Sequence, residues 1–193
     1  MVLSIEELKA MALNLRKEGL NPQQIADEMS LSQDTIAWLL TDANEVDRPS
    51  DVRIGWRTIG VRPERISAVG DIMADVVLEE LGEAADTIVG VSINGITFAY
   101  EVARNLGVEM TVYRTTDKGT GHGSLSNKYG QVSGKSVVII DDVLSSGVTM
   151  SKTIDSIREK GGEVLLAVVL VNKTTRNEID DVPLRGIIRA VSV

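Results

Sequence analysis

The stretch Val137-Val138-Ile139-Ile140-Asp141-Asp142-Val143-Leu144-Ser145-Ser146-Gly147-Val148-Thr149 decides how this chain folds. Val137 to Ile140 is an unbroken run of β-branched residues, which predicts a strand buried on both faces and therefore a parallel sheet. Two carboxylates follow, then a small, hydroxyl-rich turn, then a helix predicted from Thr149 to Lys160 and stopped by Gly161-Gly162. In an open α/β sheet, ligands sit beyond the carboxyl ends of the strands, so Asp141 and Asp142 are expected in the binding crevice. Two adjacent carboxylates suit the hydroxyls of a ribose diol. The N–H groups and hydroxyls of Ser145, Ser146, Gly147, Val148 and Thr149, at a helix N-terminus, suit a phosphate. Together they predict a sugar phosphate. An Asp-Asp pair that merely caps the helix would explain neither the apolar strand before it nor the loop after it.

Working outward, Thr87 to Ser92, Val108 to Tyr113 and Val164 to Val171 also read as strands, with a helix from about Thr97 to Leu106 between the first two. Upstream, Ile66, Val69, Ile72, Met73, Val76, Val77 and Leu81 recur at helical spacing and predict one long helix with a broad apolar face. Apolar strands alternating with amphipathic helices define the fold class as α/β, a parallel sheet covered on both sides.

Composition sets the limits. The chain has 193 residues, 43% of them hydrophobic and 25% charged, which is ordinary for a globular protein and excludes a disordered or fibrous one. Its charge, 20 basic against 28 acidic residues, is −8. With no Cys and the single His122, thiol chemistry and a metal site built from the protein alone are excluded. Met1 to Ala10 lacks a signal-peptide pattern, and the longest apolar run, Val164 to Val171, falls far short of the roughly 20 residues that span a bilayer. A cytoplasmic protein without a membrane partner is expected.

The length leaves room for a small module ahead of the sheet domain. Ser4-Ile5-Glu6-Glu7 has capping-box spacing and opens a helix that Gly19 stops. Asn21-Pro22-Gln23-Gln24 opens a second helix through Met29, and after Ser30-Leu31 a third follows, capped by Ser32 and striped by Thr35, Ile36, Leu39 and Leu40. Three helices this tightly joined resemble a helix-turn-helix unit, with Ile25, Ala26, Met29, Leu31, Ile36 and Leu39 at its packing positions. Ser32, Gln33, Asp34, Ala37 and Trp38 are then the candidate DNA-contacting residues. A helical interaction or dimerisation module of the same packing is the other reading. Residues 1–41 carry three basic and six acidic side chains, a net of −3, whereas Arg48, Arg53, Arg57, Arg62 and Arg65 outnumber the three acids of residues 46–65 by two. These arginines, Arg48 and Arg53 first, would lie along a phosphate backbone or else be salt-bridged at a domain edge. The expected organisation is a helical domain over 1–45, an Arg-rich connector over 46–65 and a ligand-binding domain over 66–193.

From about residue 60 onward the chain resembles a type I phosphoribosyltransferase, whose mark is an apolar strand, Asp-Asp and a Ser/Thr/Gly loop around the 5′-phosphate of phosphoribosyl pyrophosphate. The resemblance implies that Ser92, Ile93, Asn94 and Gly95 form the pyrophosphate loop, and that Thr115 to Gly134 is a mobile lid. Arg114, Lys118, His122 and Gly123 match the orotate-type lid pattern Arg-Lys-x-x-Lys-x-His-Gly only in part. Thr115 replaces the first Lys, and two extra residues within Gly119-Thr120-Gly121 precede His122. Asn94 and Val148 replace common glycines, and Asn172-Lys173 stands where orotate enzymes carry Asp-Arg. A phosphoribosyltransferase-like domain behind a helix-turn-helix is similar to the archaeal orotate phosphoribosyltransferase-like transcription regulators of the glucose and fructose catabolism regulator (GfcR) group. That resemblance implies a homodimeric regulator that binds promoter DNA and senses phosphoribosyl pyrophosphate, carried with Mg²⁺, or a related sugar phosphate. The incomplete lid favours this over the alternative, an active orotate- or purine-type phosphoribosyltransferase with Lys118 as a catalytic residue and an accessory helical domain.

Overall fold

Each predicted helix of the N-terminal segment forms where its caps place it: α1 over Ile5–Lys17, α2 over Pro22–Met29 and α3 over Gln33–Leu39. The computed structural model describes residues 3–41, 49–115 and 123–191. The Ser4 and Asn21 side chains accept from the N–H groups of Glu7 and Gln24, whose own side chains reach back to the cap N–H groups, so both capping boxes are complete. Ser30 ends α2 in the left-handed conformation, which turns the chain within three residues into α3. Ala12, Ile25, Ala26, Met29, Leu31, Ile36 and Leu39 form the core of this unit.

The chain divides into two compact units, one ending at Gly55 and the other running from Trp56 to Val191. The expected connector 46–65 is therefore shared between them. Residues 49–55 belong to the helical unit, whereas Arg57–Gly60 form a short helix α4 and Pro63–Leu81 form α5 in the sheet unit. The proline at the first turn of α5 starts the helix three residues before the apolar pattern does. Ile72, expected on the buried face, is 50% exposed, because the buried stripe runs through Gly70, Met73, Ala74 and Val77 instead.

The sheet unit continues with β1 (Thr87–Val91), α6 (Gly95–Leu106), β2 (Glu109–Arg114), β3 (Ser124–Leu125), β4 (Ser136–Leu144), α7 (Val148–Glu159), β5 (Glu163–Asn172), β6 (Glu178–Ile179) and β7 (Val182–Arg189). The strand order is β3-β2-β1-β4-β5-β7-β6, with β2, β1, β4, β5 and β7 mutually parallel and the two-residue strands β3 and β6 antiparallel at the edges. Helix α6 lies against β1 and β4, and α5 against β5. On the other face Met150, Ile154 and Ile157 of α7 meet Val89, Val91, Val137, Ile139, Ala167 and Val169. Alternate residues of each strand thus serve opposite helix layers, which is why the strands carry no polar alternation.

β4 departs from the expected length. It does not stop at Ile140 but runs through the aspartates to Leu144. On the β1 side the ladder ends at the pair Gly90–Ile140, while on the β5 side it continues through Asp141–Val169 to Leu144–Asn172. Pairing on one side alone keeps Asp141 and Asp142 in strand geometry and leaves their backbone outside the ladder with β1, past its end.

Candidate functional site

Three loops border this end of β4. The first, Ser92 to Asn94, joins β1 to α6 and is tied down by the Ser92 N–H donating to the Tyr113 carbonyl (2.8 Å) and by the Thr115 N–H donating to Ser92 Oγ (3.3 Å). Its Ser92–Ile93 peptide bond is cis, and Ile93 at the tip is 75% exposed. Gly95 then opens α6 hard against β4. A Cβ there would stand 2.7 Å from the Ile140 carbonyl oxygen and 2.9 Å from both Cα and Oδ1 of Asp141, so only glycine lets the helix start this close to the acid pair.

Asp141 and Asp142 differ in their surroundings. Asp141 Oδ1 accepts the N–H of Asp142 at 2.8 Å, an interaction that fixes the first carboxylate against its own strand. Asp142 Oδ2 accepts two donors, the Asn94 amide (3.1 Å) and the indole N–H of Trp56 (2.9 Å). The Asn94 bond ties the loop after β1 to the acid pair, a use of the residue that stands where a glycine was expected. Trp56 was not foreseen. It lies 86 positions from Asp142, and no spacing rule links the two.

The second loop, Ser145 to Gly147, leads into α7, which begins at Val148, one residue before the expected start. Gly147 caps the helix at φ +87°, a conformation that favours glycine. The N–H of Val148 faces Ser146 Oγ at 3.4 Å, and Ser151 Oγ, one turn into the helix, bonds the Asp180 carboxylate. The third loop follows β5. Asn172, buried, accepts from the Thr174 N–H and hydroxyl at 2.8 Å each and donates to the Arg176 carbonyl at 2.9 Å, so its side chain is spent on shaping the turn. The turn brings Arg176 Nη1 to 3.3 Å from where a Gly147 Cβ would stand, which places a guanidinium beside the hydroxyl-rich loop. Sequence reasoning missed Arg176. Its position four residues past the end of a parallel strand was the available signal.

Arg114, at the end of β2, donates to Ser126 Oγ at 3.0 Å and so braces the chain just after β3. Gly123 donates its N–H to the Tyr113 hydroxyl at 2.8 Å. Lys118 and His122 lie outside the described residues. Among the described residues no group of three or more His, Asp or Glu converges as a metal site.

In the helical unit Gln33, Asp34 and Ala37 are exposed on α3. Two of the other candidate DNA-contacting residues are half-buried. Trp38 is half-buried against the helical core and lines a cavity of about 370 Å³ with Leu8, Leu31, Thr35 and Arg53, because an indole is too large to remain outside a core this small. Ser32 is half-buried as the cap of α3, its N–H donating to Asp51 at 2.7 Å. Asp51 also accepts from the Thr35 hydroxyl (2.8 Å), and Arg53 Nε donates to the Met29 carbonyl (3.2 Å), so the chain after the third helix folds back on the α2–α3 turn. Arg53 is thus engaged with the helical unit, and Arg48 lies outside the described residues.

A family model described as the phosphoribosyl transferase domain matches residues 55–191. Across nearly the whole chain the relatives are regulators: it is 40% identical over 190 residues to the "Transcriptional regulator GfcR" of Thermoplasma acidophilum, covering 96% of each chain. The chain belongs to the GfcR family of transcriptional regulators. The GfcR proteins of Picrophilus torridus (37% identity, 98% of this chain and 99% of that one) and Archaeoglobus fulgidus (35%, 98% of each) match over the same extent. Among solved structures, the orotate phosphoribosyltransferase of Aeropyrum pernix superposes with a TM-score of 0.62 at 22% identity, over 86% of this chain and 92% of that one. The Mycobacterium tuberculosis orotate phosphoribosyltransferase in complex with phosphoribosyl pyrophosphate gives a TM-score of 0.59 at 15% identity, over 70% and 80% of the two chains. These likenesses show that the GfcR sheet unit has the type I phosphoribosyltransferase fold.

Proposed function

We propose that this GfcR regulator binds a phosphorylated pentose, phosphoribosyl pyrophosphate with Mg²⁺ foremost, in the crevice at the end of β4, and that occupancy sets its affinity for promoter DNA. The observation that carries the reading is the one-sided end of β4, which leaves the backbone of Asp141 and Asp142 outside the β1 ladder just ahead of the Ser145–Gly147 loop and the start of α7. Carboxylates for a diol and N–H groups for a phosphate lie within one strand-loop-helix step. Arg176 adds a cation beside the phosphate end. Both lone-pair directions of Asp142 Oδ2 are used by Trp56 and Asn94, so the protein has few carboxylate oxygens left for a metal. That donor set fits Mg²⁺ held mainly by pyrophosphate oxygens and water.

In the helical unit, α3 supplies the DNA-contacting face through Gln33, Asp34 and Ala37, and a homodimer pairs two such helices on successive half-sites. This face is acidic or neutral, so specificity rests on hydrogen bonds more than on phosphate neutralisation, and the salt dependence of DNA binding is correspondingly shallow. Asn172, committed to its own turn, leaves no Asp-Arg clamp for orotate and favours sensing over transfer.

Two measurements on the intact protein test the reading. Calorimetric titration with phosphoribosyl pyrophosphate and with ribose 5-phosphate, each with Mg²⁺, is expected to show saturable uptake. Selection from fragmented genomic DNA, with and without the same ligands, is expected to yield sites whose retention depends on ligand. Absence of uptake of any phosphorylated pentose by the folded protein overturns the sensor reading. Steady release of pyrophosphate with orotate or a purine base replaces it with the transferase.

A further inference from the structure

Trp56 occupies an unusual place. It is the first residue of the sheet unit, directly after Gly55, at which the helical unit ends, and its side chain is hydrogen-bonded to the second aspartate of the crevice. Its ring packs on Phe98 of α6 at 5.4 Å between centroids, tilted by 54°, and it lies so close to Gly60 of α4 that a Cβ there would stand 2.7 Å from the indole. The indole is thus held at its edge by Asp142, on one side by Phe98 and on another by α4.

Asp142 presents its two oxygens unequally. Oδ2 takes both the Trp56 and the Asn94 donors, which fixes the plane and rotamer of the carboxylate. With Oδ2 so engaged, Oδ1 is the oxygen left for a ligand hydroxyl. Donors held in advance on one oxygen spare the ligand the cost of ordering the group. We infer that Trp56 is the positioning residue of this crevice and the element through which its occupancy reaches the junction with the helical unit. This inference rests on the ligand reading proposed above and adds to it the route by which the site is regulated.

The direction of coupling follows from linkage. If the Trp56 contact raises ligand affinity by some factor, bound ligand stabilises the Trp56 contact by the same factor. Ligand binding therefore fastens the chain immediately after Gly55, and its loss frees it. The span from Arg53 to Gly60 should tighten when the crevice fills.

The intact protein carries only two tryptophans, Trp38 and Trp56, so a ¹⁵N-labelled sample has two indole N–H resonances, and the one that Trp56→Phe removes is assigned to Trp56. The Phe variant keeps an aromatic ring against Phe98 while deleting the N–H donor. Asp142→Asn is expected to move the Trp56 indole resonance in the absence of any ligand and leave that of Trp38 in place. Addition of phosphoribosyl pyrophosphate with Mg²⁺ is expected to move the same resonance and to slow amide exchange over residues 53–60. Trp56→Phe is expected to weaken calorimetric affinity by up to about tenfold, the limit set by the weight of one hydrogen bond to a charged group, and to abolish the slowing of exchange.

Unchanged affinity in Trp56→Phe, or an indole resonance indifferent to bound ligand, overturns the inference. So does an indole that ignores Asp142→Asn, an outcome that needs no ligand and does not require Trp56→Phe to fold. If the indole responds to Asp142→Asn but no phosphorylated pentose is taken up, the ligand reading has failed and takes the coupling with it.

Discussion

Replacing Gly95 with alanine sets helix propensity against tertiary packing, and the two predict opposite signs. At the first position of α6 a methyl group would ordinarily favour the helix over glycine by about 0.5–1 kcal/mol. In this fold the same methyl would stand 2.7 Å from the Ile140 carbonyl oxygen and 2.9 Å from Asp141 Cα, both backbone atoms of β4. Such contacts are well inside van der Waals separation, and β4 cannot retreat without breaking its ladder with β5, which continues through Asp141 and beyond. Helix α6 must move instead, and that pulls its own buried Phe98, Ala99 and Val102 out of their packing. Overpacking of this kind costs about 1–3 kcal/mol, and the rigidity of both neighbours puts Gly95→Ala toward the upper end, so a net loss of about 2 kcal/mol remains after the propensity gain. Urea unfolding followed by far-ultraviolet circular dichroism measures it. Gly55→Ala, where a methyl meets nothing within 4 Å, serves as the control and is expected to stay within about 0.5 kcal/mol of the parent. A Gly95→Ala protein as stable as its parent, or more so, refutes the claim that α6 and the acid-bearing strand are in contact at this point.

Arg176→Ala is expected to weaken binding of ribose 5-phosphate about tenfold or more while leaving the circular dichroism spectrum unchanged, as loss of one charge-assisted phosphate contact requires; equal affinity in calorimetry removes Arg176 from the site. Asn21→Ala breaks the capping box of α2 and should lower stability by about 1 kcal/mol, read as a shift of the urea midpoint. Lys135, bonded to Glu109 at 2.7 Å, holds that carboxyl below its ordinary pKa through this hydrogen bond and its charge, with a smaller push from the Gln131 backbone and a partial offset from desolvation. Because the folded pKa is the lower one, the pair's contribution is complete above the ordinary Glu value and is lost as pH falls through the lowered value, with no change near neutrality. A carboxyl NMR titration should show the Glu109 midpoint rise toward the ordinary value in Lys135→Met.

Much of this architecture is local in origin. The caps at Ser4, Asn21 and Ser32, the proline of α2 and the apolar periodicity between them fix three helices without reference to anything distant. Val137 to Ile140 likewise identifies the central strand, since four consecutive buried β-branched residues have no other comfortable environment. Strands β6 and β7 were not legible in this way. β6 has two residues, and β7 carries Pro183, Arg185 and Gly186 in place of an apolar run, forming because β5 offers it an open edge to pair with. Ile72 was misplaced for a related reason: helical spacing gives a stripe, but its centre is set by which neighbours come close, and Gly70 against Glu101 draws α5 round.

By itself the sequence determined that a buried strand would lead into two carboxylates and that a hydroxyl-rich turn would open a helix behind them, because strand burial and helix capping are decided by residues within a turn or two of each other. Only the tertiary structure decided what those groups face. The ladder with β1 stops at Ile140 while that with β5 runs on, and this difference in the lengths of two neighbours leaves the backbone of the acid pair laddered on one side only. The convergence of Trp56, Asn94 and Asp142, and of Arg176 with Gly147, spans up to 86 positions of chain. Hydrogen bonds and charge act over a few ångströms of space, whatever the distance along the sequence, so such meetings exist only once the sheet has closed.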